Sequence, residues 1–487
     1  MPISPKLGAE SAAANMADIA PAYTPQEALI EANRCLFCFD APCIQACPSG
    51  IDIPSFIKKI ATGNLTGAAR TILSANILGA SCARVCPTEV LCEGACVVLD
   101  REGDAVKIGR LQRYATDGVV DKTARLLKTP ATKSGKRVAV LGGGPAGLGC
   151  AAELAQLGHE VVVFDKKPKA GGLNTYGIAY YKMKPEVSLA EVSLIESLGV
   201  KFHCGTEVGK DVSIDALQKD FDALFIGFGL GKGARLNIPG EELPEVVEAL
   251  DFIEELHTRP LHEVSVGDRV AVIGGGNTAI DAVTQARRLG ARDAVMVYRR
   301  SQEEMPAYGF EQELAKKDGV RFLFNAAPVE IVANGSRHVG GLKLARTEIK
   351  NGKVQMISGS EFTEPFDMVI KAIGEEKQAG LLKKLFPTLD LHPSGVVRRN
   401  PENGQTNIPN IFAGGDCANG GREVVNAVAE GKKAARGIHA FLAGEKVSGP
   451  LQPSRFGVKG TAAVGSGFDR PIRVVELERE YRKSGGS

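Results

Sequence analysis

Two short runs, Arg137-Val-Ala-Val-Leu141 and Arg269-Val-Ala-Val-Ile273, are apolar and β-branched without polar alternation, as expected of parallel strands buried on both faces. Each runs into a glycine-rich turn and a helical stretch, and each is followed by a second apolar run, Glu160–Phe164 and Ala294–Tyr298. This repeated strand–turn–helix–strand pattern predicts two Rossmann-like units. Further apolar strands are expected at Phe366–Gly374 and Asn410–Asp416, followed by a helix at Val424–Phe441. Toward the N-terminus the period changes: Gln26–Asn33, Ile53–Ala61, Leu65–Ser74 and Ile108–Val120 read as helices. The expected fold is therefore multidomain, an N-terminal all-α domain followed by two α/β Rossmann-like dinucleotide-binding domains, the second inserted in the first. The expected boundaries are a flexible Ala/Ser-rich lead-in over 1–24, the helical domain at 25–120 and a linker at 121–135. The first nucleotide domain spans 136–267 and 366–445, the second 268–365, and a tail covers 446–487. The tail is Gly-, Ser- and Pro-rich and ends in a charged helical stretch, Val474–Lys483, open to reading as a partner-binding arm or as disorder.

Length and charge narrow the classes. A chain of 487 residues accommodates about three domains. With 59 basic and 57 acidic residues, the balance gives no sign of nucleic acid or bulk membrane attraction. No apolar run approaches the roughly 18 residues of a membrane span. The N-terminus lacks the charged start and apolar core of a secretory signal. Accessible thiols then imply a reducing compartment, so the cytoplasm is expected.

Eight of the eleven cysteines fall between Cys35 and Cys96. They read Cys35-x2-Cys38-x4-Cys43-x3-Cys47-Pro48, then Cys82-x3-Cys86-Pro87-x4-Cys92-x3-Cys96. A Cys-Pro closing a run that contains C-x2-C is the ferredoxin-like signature, in which the last thiolate ligates the other cluster. Two iron–sulfur clusters fed by interleaved halves are expected. Zinc normally shows paired C-x2-C knuckles or histidines, but one C-x2-C occurs here and no His lies within residues 1–150. A disulfide framework belongs to small secreted domains.

The first nucleotide turn is Gly142-Gly143-Gly144-Pro145-Ala146-Gly147, and its second strand ends in Asp165. Such glycines let backbone amides approach a pyrophosphate at a helix N-terminus, and the acid takes ribose hydroxyls. Gly171-Gly172-Leu173 is a further close-approach loop. The second turn, Gly274-Gly275-Gly276-Asn277-Thr278-Ala279, has Arg299-Arg300 where the acid would stand. Arginines there pair with a 2′-phosphate that an acid would repel, so the second site is expected to prefer NADPH and the first to take FAD. In two-dinucleotide flavoproteins a late strand ending in Gly-Asp returns to the flavin, which points to Gly415 and Asp416. Cys150, Cys204 and Cys417 stand alone, so a redox-active disulfide beside the flavin is not expected, and no Ser/His/Asp catalytic pattern occurs. Each lone cysteine reads as a small buried hydrophobe.

These residues resemble a known family. Cys35-Leu-Phe-Cys-Phe-Asp-Ala-Pro-Cys43, Cys82-Ala-Arg-Val-Cys-Pro-Thr-Glu-Val-Leu-Cys92 and Ile108-Gly-Arg-Leu-Gln-Arg-Tyr114 are similar to the NADPH/FAD/iron–sulfur half of dihydropyrimidine dehydrogenase. The likeness covers Pro21–Leu442 and extends to the small subunit of NADPH-dependent glutamate synthase and the large subunit of a bifurcating ferredoxin:NADP oxidoreductase. The resemblance implies that Cys35, Cys38, Cys43 and Cys96 hold one [4Fe–4S] cluster. It implies that Cys47, Cys86, Cys92 and the side-chain oxygen of Gln112 hold the other, leaving Cys82 free. Asp40-Ala41-Pro42-Cys43 and Gln112 favour the pyrimidine branch over glutamate synthase. The 42 residues after 445 are far fewer than the roughly 250 of an FMN barrel, so an electron-input subunit working with an FMN-containing partner is expected. A non-enzymatic redox sensor with a vestigial flavin fold is the rival from another class, and it would require a degraded nucleotide turn.

Overall fold

A computed structural model describes residues 3–118 and 126–445. Helices α1 (Ala9–Asn15), α2 (Pro25–Ala32), α3 (Pro42–Ala46), α4 (Ile53–Ala61), α5 (Leu65–Ala75), α6 (Gly79–Val85), α7 (Val97–Glu102) and α8 (Ile108–Asp117) come first. The first α/β elements follow as β1 (Arg137–Leu141), α9 (Pro145–Gln156), β2 (Glu160–Asp165), α10 (Leu173–Tyr176), α11 (Pro185–Ser197), β3 (Lys201–Cys204), α12 (Ile214–Asp220) and β4 (Ala223–Ile226). Then come β5 (Val246–Glu248), α13 (Ala249–Thr258), β6 (Arg269–Ile273), α14 (Asn277–Arg288), β7 (Asp293–Val297), α15 (Gly309–Lys317) and β8 (Arg321–Leu323). The chain continues through β9 (Ala326–Ala333), β10 (Val339–Lys350), β11 (Lys353–Met356), β12 (Phe362–Glu364) and β13 (Met368–Lys371). It closes with α16 (Ala379–Leu385), β14 (Ile411–Ala413), α17 (Asp416–Asn419) and α18 (Val424–Leu442).

By its packing the chain divides into two units. One comprises the described parts of 20–172, 186–229 and 378–487. Its parallel sheet runs β14-β4-β1-β2-β3, with β14 beside β4 as a strand returning late in the chain. Helices α9 and α18 cover one face, and Leu148, Leu154, Val428 and Ile438 are wholly buried there. The α2–α8 layer has its own core around Phe56, Ile57, Ile72 and Leu111. Its start is fixed locally: Thr24 caps α2 by accepting from the Glu27 amide while Glu27 accepts from the Thr24 amide, a capping box.

The other unit comprises the described parts of 1–19, 173–185 and 230–377. Its parallel sheet runs β5-β13-β6-β7-β8, joined by an antiparallel sheet in which β9, β11 and β12 pair with β10. Three expectations change here. The lead-in expected over 1–24 is not loose in its described part: α1 buries Ala12, Met16 packs in the core with Tyr181, and Ser4 bridges to Val266. Phe366–Gly374 does not belong to the first nucleotide domain, because β13 pairs in parallel with β6 and β5 of the second. The inserted unit therefore spans 230–377 rather than 268–365. The expected helix Val474–Lys483 lies outside the described residues.

Candidate functional site

The cysteines sit where helices begin and end. Cys35 and Cys38 follow α2, Cys43 lies in α3 and Cys47 caps its C-terminus; Cys86 ends α6 and Cys96 precedes α7. Phe37, between the first two, takes a left-handed φ of 51° and donates its amide to Cys35 Sγ at 3.4 Å. Cys35, Cys38, Cys43 and Cys96 line one cavity, walled by Ile53, Ile57, Val98 and Ile108. Burial, then the charges of Cys38 and Cys96, pushes the Cys35 thiol up to about 11; burial followed by Cys35, Cys96 and Cys38 raises Cys43.

Cys47, Cys82, Cys86 and Cys92 form the second group. A hydrogen bond with Cys82, then burial, then the charges of Cys82, Cys47 and Cys92 raise the Cys86 thiol. Burial also raises Cys47 and Cys92. Gln112 is buried on α8, and its Nε2 donates to the Gly79 carbonyl at 2.7 Å, which fixes the side-chain amide. Membership crosses the two halves of the sequence, Cys96 falling with Cys35, Cys38 and Cys43, and Cys47 with Cys82, Cys86 and Cys92. Each is a ring of thiols whose negative charge the protein alone disfavours, so a cationic core suits them. Among the described residues no three His, Cys, Asp or Glu converge as they would on a single metal ion; the first ring opens around a cavity instead. That donor set fits an iron–sulfur cube better than zinc.

At the first nucleotide turn, Gly142 has φ 108° and lies against the Gly227 carbonyl, where a Cβ would collide. Gly147 abuts the Gly142 carbonyl, so the β1–α9 turn closes only without a side chain at either position. Asp165, at the end of β2, accepts from the Gly143 amide at 2.7 Å and the Lys167 amide at 2.8 Å. Burial raises this carboxyl, and the two amides oppose the rise. A Cβ on Gly144 would come no nearer than 3.8 Å to its closest neighbour, the Gly172 Cα, and Pro145 and Ala146 open α9. Leu173, the first residue of α10, is exposed and falls in the unit that carries the second turn.

Gly415 has φ 75° and precedes Asp416 at the start of α17. Sequence reasoning missed what holds this turn. Glu430 on α18 accepts from the Gly415 amide at 2.8 Å and from Asn419 Nδ2 at 3.1 Å, and pairs with Arg399 at 2.8 Å. The signal available was a single acid among small apolar residues on a helix, which reads equally as a solvated position.

The second turn repeats the first. Gly274 lies against the Ala372 carbonyl, whereas a Cβ on Gly276 would meet nothing within 4 Å, leaving open space where a phosphate would lie. Asn277 Oδ1 accepts from the Tyr308 amide at 3.0 Å, and Thr278 lies in the first turn of α14. Arg299 is exposed and Arg300 half-buried just past β7; among the described residues neither guanidinium has a hydrogen bond or ion pair. Also unforeseen is a charge cluster beneath α14. Lys182 pairs with Asp281 at 2.7 Å and Glu311 at 2.6 Å, and Tyr181 donates to Asp281 at 3.2 Å. No disulfide occurs among the described residues; Cys150 and Cys417 are buried, and burial followed by the Asp416 charge pushes the Cys417 thiol up to about 12. No helix of the described residues is long and apolar enough to cross a membrane.

Two nucleotide-binding α/β sheets and a cysteine-rich helical layer define a pyridine-nucleotide flavoprotein with an iron–sulfur input or output domain. The chain belongs to the pyridine nucleotide-disulphide oxidoreductase family, whose model matches residues 136–431, and residues 12–124 match dihydropyrimidine dehydrogenase domain II, 4Fe-4S cluster. It is 38% identical over 437 residues to the glutamate synthase [NADPH] small chain of Escherichia coli K12, covering 86% of this chain and 92% of that one. It is 36% identical over 430 residues to the NAD-dependent dihydropyrimidine dehydrogenase subunit PreT of Escherichia coli O157:H7, covering 88% and 97%. FprA from Mycobacterium tuberculosis in complex with NADPH shares the fold, with a TM-score of 0.52 and 20% identity over 63% of this chain and 85% of that one. The protein is an NAD(P)H-dependent flavin/iron–sulfur oxidoreductase whose cofactors are FAD, a pyridine nucleotide and [4Fe–4S] clusters.

Proposed function

We propose that this chain is the electron-input subunit of a dihydropyrimidine dehydrogenase, serving an FMN-containing partner that reduces uracil or thymine to the 5,6-dihydro product. When bound, the nicotinamide would supply a hydride, the flavin would exchange a pair for single electrons, and the clusters would carry those onward. The chain's own residues bind and orient these groups. Arg299 and Arg300 hold the 2′-phosphate, while the amides around Gly276 and Asn277, with Thr278, take the pyrophosphate. The Gly142–Gly147 turn, Gly172, Leu173, Asp165, Gly415 and Asp416 hold FAD. Cys35, Cys38, Cys43 and Cys96 hold one cluster, and Cys47, Cys86, Cys92 and Gln112 the other.

The observation that carries the pyrimidine reading is Gln112. Its side chain is buried on α8, which packs on α6, and Nε2 is committed to Gly79 at the start of α6, which leaves Oε1 to act as a neutral ligand. The 38% identity to a glutamate synthase small chain favours a second reading, delivery of the same electrons to a glutamate synthase large subunit. Isolating the native complex without oxygen and identifying the flavin on the companion chain tests the reading. A companion carrying FMN and no glutaminase activity is expected; a companion that hydrolyses glutamine would transfer the chain to the second reading.

A further inference from the structure

We propose that Cys82 is a reserve ligand of the second cluster, placed to take the corner assigned to Gln112. The inference rests on the reading that Cys47, Cys86, Cys92 and Gln112 hold that cluster. Residues 79, 82 and 86 recur at helical spacing on one face of α6, and α6 packs on α8, which carries Gln112. Gln112 is tied to that face through its bond to the Gly79 carbonyl at 2.7 Å. Cys82 is 2% exposed, and the Cys86 amide donates to its carbonyl at 3.1 Å, so the two cysteines stand one helical turn apart. On that reading four thiols and one amide oxygen are available to a cluster that has four iron corners, and one donor is surplus.

The plain alternative is that Cys82 only fills space. A filler could stand anywhere in the core, whereas Cys82 stands one turn from Cys86 and three residues from Gly79, whose carbonyl holds Gln112. Of the five donors the neutral oxygen suits iron–sulfur chemistry least, because soft thiolates are the preferred ligands. In the exchange an iron–sulfur bond to Cys82 forms as the iron–oxygen bond to Gln112 breaks. The thiol proton passes to water and no electron moves. The cluster gains one negative charge, and its reduction potential falls.

Gln112→Ala, Cys82→Ser and the double variant, each purified anaerobically as the full chain, separate the possibilities through iron content, electron paramagnetic resonance and midpoint potential. Gln112→Ala is expected to keep its full iron, show no three-iron signal and have a lower potential at the second cluster. The double variant is expected to lose the corner iron and show a three-iron signal, while an unchanged first-cluster signal reports that it is folded. A three-iron signal in Gln112→Ala as strong as in the double variant would overturn the reserve role and leave the ligand set standing. Iron loss in Cys82→Ser alone would make Cys82 an ordinary ligand and overturn the ligand set with it.

Discussion

Arg299 and Arg300 carry the choice of coenzyme in this account, because they stand at the end of β7 where Asp165 stands at the end of β2. A guanidinium bound to phosphate through charge-assisted hydrogen bonds contributes about 1.5–3 kcal/mol, so removing one costs roughly 10- to 100-fold in affinity. Arg299→Ala and Arg300→Ala are each expected to raise the KM for NADPH by about that factor and leave that for NADH nearly unchanged. Steady-state flavin reduction with both coenzymes checks this; equal loss with both would assign the arginines a general role in folding. These two residues are legible in the sequence because a short motif fixes their place relative to the turn. Glu430 and Arg399 are not, because an ion pair between residues on different elements leaves no local pattern. Lys182 is hidden for the same reason.

Elements show the same division. The strand Arg137–Leu141 and the helix Ile53–Ala61 can be read to the residue, since continuous β-branched runs and strong helical spacing are local properties. The strand at Phe366 is recognisable, but its sheet is not, because a fully buried parallel strand carries no mark of its neighbours. The helix α6 escapes the pattern altogether: Gly79-Ala-Ser-Cys-Ala-Arg-Val85 has little apolar periodicity, and its first amides, Ala80 and Ser81, are instead held by the buried carboxylate of Glu191. Two expectations belong to this scale. Lys182 joins the 173–185 segment to α14 and α15, and its removal strands two carboxylates. Lys182→Met is expected to destabilise its unit by about 3–5 kcal/mol in denaturant unfolding, with recovery when Asp281 and Glu311 are neutralised as well. His159 joins Ser134, at 2.8 Å, to His439 on α18, at 2.9 Å, and burial followed by the His439 charge lowers it to about 4 from an ordinary 6.5. Below about 6.5 the unfolded chain binds a proton that the folded chain refuses, so this contribution is full at neutral pH and is lost as pH falls toward about 4. Melting temperature against pH should drop across that window, and His159→Gln should flatten the drop. An unchanged slope would mean that other groups dominate acid unfolding.

For the whole molecule, the proposed function sets one requirement: electrons that arrive as a pair must leave singly. In the proposed reading two nucleotide-binding units serve the pair, and two groups of thiols serve the single electrons. Both nucleotide turns are intact in backbone geometry, which runs against a vestigial flavin fold. In the proposed reading the electrons leave for a partner chain, and the amide of Gln112 is what speaks for a pyrimidine-reducing one. The most direct measurement is therefore turnover by the native complex, isolated without oxygen. NADPH oxidation is followed with uracil and, separately, with glutamine plus 2-oxoglutarate. Oxidation that depends on uracil and yields dihydrouracil is predicted. Oxidation that depends only on glutamine and 2-oxoglutarate would contradict the pyrimidine reading and make this chain a glutamate synthase subunit.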